Sequence, residues 1–252
     1  MEIQLFEEDK RNDFVDLTPY LIPETVKLID EIESKIGRKV HLRKVYDPLE
    51  CWQIRKSDPM HIDMPVHQEG DIISFTHELL HIYFDFVLGM RVSDFQVLNF
   101  TNPYNDTYSD PWLLSGSFIS MINNLQHHKM IPYFESFNFP RERIVLNYSN
   151  PIEVYESLEQ FIRRDINYDI PVERYHYSLF CADYLIMEYY VPNPLVREKL
   201  KTEFSEKIDK KLVGLRSQFQ PIIEKWDSDY NNLKELLSEI NFTAHKFAED
   251  LK

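Results

Sequence analysis

The sequence predicts an α+β fold: a small mixed sheet with an edge strand packed on a buried helix, then a mainly helical C-terminal half. Three observations lead there. Met60, Ile62 and Met64 alternate with His61 and Asp63 and are closed by Pro65, the pattern of a half-buried strand, and the proline suits a sheet edge. From Asp71 to Leu88, between Gly70 and Gly89, apolar residues cover most of a helical circumference, so that helix must be buried. The whole chain of 252 residues holds only 5 glycines, and capped helix starts recur in its second half.

Taken in order, Val26, Ile29, Ile32 and Ile36 recur at helical spacing before Gly37, which sits where a helix ends. Strand-like runs follow at Val40 to Tyr46 and Cys51 to Arg55, then the alternating strand and the apolar helix. Residues 90 to 116 show no periodicity and read as a long loop. A helix should run from Ser117 into Gln126-His127-His128 and end or kink near Pro132, which cannot donate to the carbonyl of His128. Asn150-Pro151-Ile152-Glu153 and Asn193-Pro194 each place a cap before a proline at the first helical position. Trp226, Tyr230, Leu233 and Leu237 continue a helical stripe. A soft boundary near residue 170 divides the chain into 1–170 and a helical region 171–252.

Charge and cysteine content narrow the functional classes. The chain carries 28 basic and 42 acidic residues, a net charge of −14, with no local basic stripe, so nucleic acid and anionic membrane are not expected partners. Cys51 and Cys181 make no disulfide framework, and the first residues lack the basic and apolar runs of a secretory signal; a cytoplasmic location is the simplest expectation.

The chemistry concentrates in His77-Glu78-Leu79-Leu80-His81. Histidines at i and i+4 on a helix share one face about one turn apart, so both imidazoles can reach one metal ion. Glu78 lies beside that pair, placed to deprotonate a metal-bound water without being a ligand. With these residues, and the helix and strand around them, the chain resembles the zincin metallopeptidases. That resemblance implies an α+β catalytic domain, a bound Zn²⁺ and hydrolysis of peptide bonds, with Glu78 as general base. It does not extend to the metzincin branch, which needs glycine and histidine where this chain has Phe84 and Val87. Nor does a downstream Asn-Glu-x-x-Ser/Asp string, the usual source of the gluzincin third ligand, occur here.

A third ligand is sought downstream. Phe118, Met121, Ile122 and Leu125 define an apolar face; by steps of about 100°, His128 falls roughly 70° from its centre and His127 nearly opposite. His128 is therefore the favoured third ligand, with His127 and then Glu153 or Glu156 as alternatives. Asp85, one turn past His81, could accept that ring's free N–H. Tyr175-His176-Tyr177 offers donors for an oxyanion, although ordinary packing is the expected role of these residues. His61 and His67 read as surface residues. The function expected is an intracellular zinc metallopeptidase acting on exposed polypeptide held along His61 to Met64. The alternative is a zincin-derived protein-interaction module whose metal is structural or absent.

Overall fold

The computed structural model describes residues 14–47, 52–56, 58–90, 111–144, 169–190, 194–203, 214–228 and 233–250. The chain divides into two compact units: residues 1–91 with 136–139, and residues 92–135 with 140–252. Among the described residues, the first holds the sheet and two α-helices, and the second is helical. The α+β class and the helical C-terminal half are as expected.

In the first unit, β1 (Phe14–Val15), β2 (His41–Val45), β3 (Gln53–Arg55) and β4 (His61–Pro65) form one mixed sheet in the order β1-β2-β4-β3. β1 is antiparallel to β2, β2 is parallel to β4 with His41 opposite His61, and β3 is antiparallel to β4 with Arg55 opposite His61. The predicted edge strand therefore lies inside the sheet. β4 is flanked on both sides along 61–63, and β3 is the outer strand beside it. All five residues of β4 are buried, including His61 and Asp63.

The cause of that burial is electrostatic. Arg43 on β2 donates from Nε and Nη2 to the two carboxylate oxygens of Asp63, at 2.7 and 2.8 Å. Arg55 on β3 donates from Nε to Asp63 at 2.9 Å. A carboxylate so paired can leave water, which an unpaired one cannot do cheaply. His61, expected at the surface, donates its Nδ1–H to the carbonyl of Pro59 at 2.8 Å and meets the Phe14 ring edge-on. Burial holds its pKa below the ordinary histidine value.

The opposite face of the sheet, with Leu42, Ile62 and Met64, is apolar and fully buried. Two helices complete the unit: α1 (Pro23–Ile36), ended by Gly37 in the left-handed region at φ 71°, and α2 (Ile72–Phe86). α2 packs on α1, β4 and β3, and its Phe75, Leu79, Leu80 and Ile82 are fully buried.

The start of α2 is fixed twice. Asp71 accepts from the backbone N–H of Ile73 and Ser74 at 3.1 and 3.3 Å, and from the Ser74 hydroxyl at 2.7 Å. One residue earlier, the Gly70 N–H donates to the buried Tyr20 hydroxyl at 2.8 Å, and that hydroxyl donates to Met64 Sδ at 2.8 Å. Tyr20→Phe removes both bonds. It is expected to lower stability by about 1–2 kcal/mol, read by urea denaturation; an unchanged midpoint would show that the hydroxyl contributes nothing.

In the second unit, α3 (Pro111–Ser136) begins before the expected Ser117 and does not end at Pro132, which is exposed. Residues 91–110, most of the expected loop, lie outside the described residues, as do Asn150 to Glu156. The expected helix start at Pro194 is present. α4 (Pro171–Tyr190) packs on α5 (Pro194–Glu203), α6 (Leu215–Ser228) and α7 (Leu233–Asp250), and α6 packs on α7. Trp226, Phe219, Leu236 and Ile240 are among the buried residues there. Arg216 clasps Glu188 with two bonds of 2.9 and 2.8 Å, joining α6 to α4. No helix among the described residues is long and apolar enough to cross a membrane.

Candidate metal centre

The helix carrying the motif is α2, and its 3.6-residue repeat does what the sequence demands. His77 and His81 are both buried, with ring centroids 4.7 Å apart and Nε2 atoms separated by 3.0 Å. Two ring nitrogens this close have two chemical explanations. Either one carries a proton and donates it to the other, or both direct lone pairs at one cation.

Glu78 stands beside the pair, with its Oε1 4.0 Å from the Nε2 of His77. Its side chain is 14% exposed, and its carboxylate is desolvated. Burial pushes its carboxyl up to about 8. A positive charge at the histidine pair would act in the opposite sense and favour the ionised form.

Three buried histidines, His77, His81 and His127, bring ring nitrogens within 4.8 Å of one another, close enough to hold a metal ion. The histidine that joins the α2 pair is thus His127, whereas His128 was favoured from the sequence. His128 is half-buried, with its ring 6.4 Å from that of Trp226 on α6.

The reason for this difference lies in α3 itself. A hydrophobic stripe in the sequence implies one apolar face and one solvated face. α3 buries Met121, Ile122 and Leu125 on one side, but also Gln126, His127 and Ile131 on others. On such a helix, a position opposite the apolar centre need not face water. Among the other third-ligand candidates, Glu153 and Glu156 lie outside the described residues.

Asp85 is buried and ion-paired with Lys56, just after β3. It ties the end of α2 to the sheet. Tyr175 and Tyr177 are buried in α4, and the Tyr175 hydroxyl donates to Asn241 of α7. His176 is half-buried with its ring 5.6 Å from that of Tyr175. His67 is exposed and contacts Gln68.

Asp183 is a buried acid that was not singled out from the sequence. Asp183 on α4 is 6% exposed and accepts from Asn124 Nδ2 at 2.9 Å, and also from Ser120. Burial pushes its carboxyl up to about 6 against the opposing effect of those two bonds. A signal was available: an acid within the apolar run Leu179-Phe180-Cys181-Ala182-Asp183-Tyr184-Leu185-Ile186.

Compared with protein-family models, with curated proteins and with solved structures, the chain matches none.

Proposed function

We propose that this chain is a zinc-dependent metallopeptidase that works inside the cell on exposed polypeptide. One observation carries the reading: two histidines one turn apart on a buried helix, Nε2 to Nε2 at 3.0 Å, with the Glu78 carboxylate alongside.

The residues fit zinc by the chemistry of their donors. Three neutral imidazoles suit this borderline ion and leave a fourth position open, as catalytic zinc requires. Zinc–nitrogen bonds of about 2.0–2.1 Å in a tetrahedron set ligand nitrogens roughly 3.3–3.4 Å apart, close to the spacing of the α2 pair. His77 and His81 would hold the ion, with His127 as third ligand. Bound there, zinc would act as a Lewis acid and bring the pKa of a water molecule near 7. Glu78 then serves as the base that accepts a proton as water attacks the peptide carbonyl, and as the acid that returns it to the leaving amine. Its burial strengthens both roles by excluding competing solvent. An extended substrate could lie along β3, the outer strand next to α2.

The test is metal content by elemental mass spectrometry on purified protein and three variants. About one zinc per chain is expected, lost in His77→Ala and His127→Ala and kept in His128→Ala. Retention in His127→Ala together with loss in His128→Ala would reverse the ligand assignment. Metal-replete wild type without metal would overturn the peptidase reading in favour of a protein-interaction module.

A further inference from the structure

The buried carboxyl of Asp183 takes no part in the proposed chemistry, and its neighbours say what it is for. On α3, Ser120, Asn124, His127 and Ile131 follow at i, i+4, i+7 and i+11, so by steps of about 100° they fall within roughly 60° of one another. Asp183 bonds to Asn124 and Ser120, one and two turns before His127 on that same stripe.

We propose that Asp183 is a positioning residue for His127: by holding Asn124 and Ser120 it fixes the rotation of α3 about its axis and so the place of the His127 ring. This rests on the reading that His127 is a metal ligand.

Leverage makes the role necessary. A side-chain tip stands about 5–6 Å from a helix axis, so a rotation of roughly 20° moves it by about 2 Å. A metal site tolerates only a few tenths of that. Apolar packing resists such rotation poorly because it is non-directional, and α3 has apolar residues on several sides. Hydrogen bonds are directional, and a carboxylate accepting from two successive turns defines the angle.

Asp183 is also not what stability alone would select. Among the described residues no lysine or arginine pairs with it, and its partners are a neutral amide and a hydroxyl. Two neutral donors do not offset removal of a carboxylate from water, and an apolar residue of similar size would join α4 to α3 at lower cost. A residue that breaks the local packing rule in this way is expected where function requires it.

The experiment is a double-mutant cycle on zinc affinity, read by competition with a chromophoric chelator, using the full chain. The variants are Asp183→Ala, Asp183→Asn, His127→Ala and the double Asp183→Ala/His127→Ala. Asp183→Ala is expected to weaken zinc binding by about 10–100-fold, the usual effect of losing a group that orients a ligand. In the His127→Ala background the same change should alter affinity by less than about threefold, because its route of action is gone. Asp183→Asn, whose side-chain carbonyl still accepts from Asn124, should recover most of the loss and gives a variant of near-native shape should alanine not fold.

Equal weakening in both backgrounds, or wild-type affinity in Asp183→Ala, would overturn the positioning role while leaving the metal site intact. Unchanged affinity in His127→Ala beside loss in His77→Ala would remove His127 as a ligand, and Asp183 with it. No zinc binding by wild type would refute the site as a whole.

Discussion

Glu78→Gln should take up as much zinc as the wild type and hydrolyse peptides more slowly by on the order of 10²–10⁴-fold. The amide matches the carboxylate in size, so the packing of α2 stays intact, and only the ability to accept and return a proton is removed. Full peptidase activity in a pure Glu78→Gln preparation would sink the proposed role. The same variant has a second signature in metal-free protein. Glu78 is pushed up to about 8 in the folded chain from an ordinary 4.5. Between those values the folded state holds the proton more tightly than the unfolded state does. Stability should therefore fall as pH rises from about 4.5 to about 8. Glu78→Gln removes that slope. Urea denaturation with a chelator present, at pH 5 and at pH 8, measures it. Equal slopes in the two proteins would mean that the carboxyl ionises normally in the fold.

Asp63→Ala should destabilise the sheet by about 2–4 kcal/mol. The carboxylate is fully buried and receives three charge-assisted bonds, from Arg43 Nε and Nη2 and from Arg55 Nε. Removing it leaves two guanidinium groups facing each other across β4. Breaking a fully buried pair costs about 3–5 kcal/mol. The loss is smaller in this sheet because the Arg55 side chain is 46% exposed and can turn to water, whereas that of Arg43, at 16%, cannot. Arg55→Ala alone is accordingly expected to cost under about 1 kcal/mol. Chemical denaturation of the two variants separates these effects. A smaller loss in Asp63→Ala than in Arg55→Ala would contradict the account.

Legibility in the sequence followed the kind of signal. The α2 helix was readable because its boundaries are local: apolar residues around the turn, Asp71 before it and Gly89 after it. The pair His77 and His81 was readable for the same reason, since helical spacing alone brings them together. β4 was placed at a sheet edge because of Pro65, and it was read as half-buried because alternation treats every polar residue as solvent-facing. Nothing near Asp63 in sequence announces that arginines from two other strands will neutralise it. His127 was ranked below His128 because a hydrophobic stripe identifies only the first buried side of a helix; a second, polar one carries no hydropathy signal. The continuation of α3 through Pro132 is a further case: the ring removes one hydrogen bond, but the residue is exposed and the helix carries on to Ser136.

The junction at Tyr20 has a kinetic consequence. Its hydroxyl meets Met64 and Gly70, which are 44 and 50 residues further along the chain. Closing loops of that length carries an entropic penalty before any contact compensates for it. High sequence separation of this kind slows folding, and it also makes folding cooperative: the first turn of α2 cannot dock until the segment before α1 is in place. The backbone amide of Gly70 should therefore exchange with solvent deuterium only when the sheet unit opens as a whole. Its protection would match that of core strands and exceed that of an ordinary loop. The helix that carries His77 and His81 would then share one lifetime with the sheet beneath it.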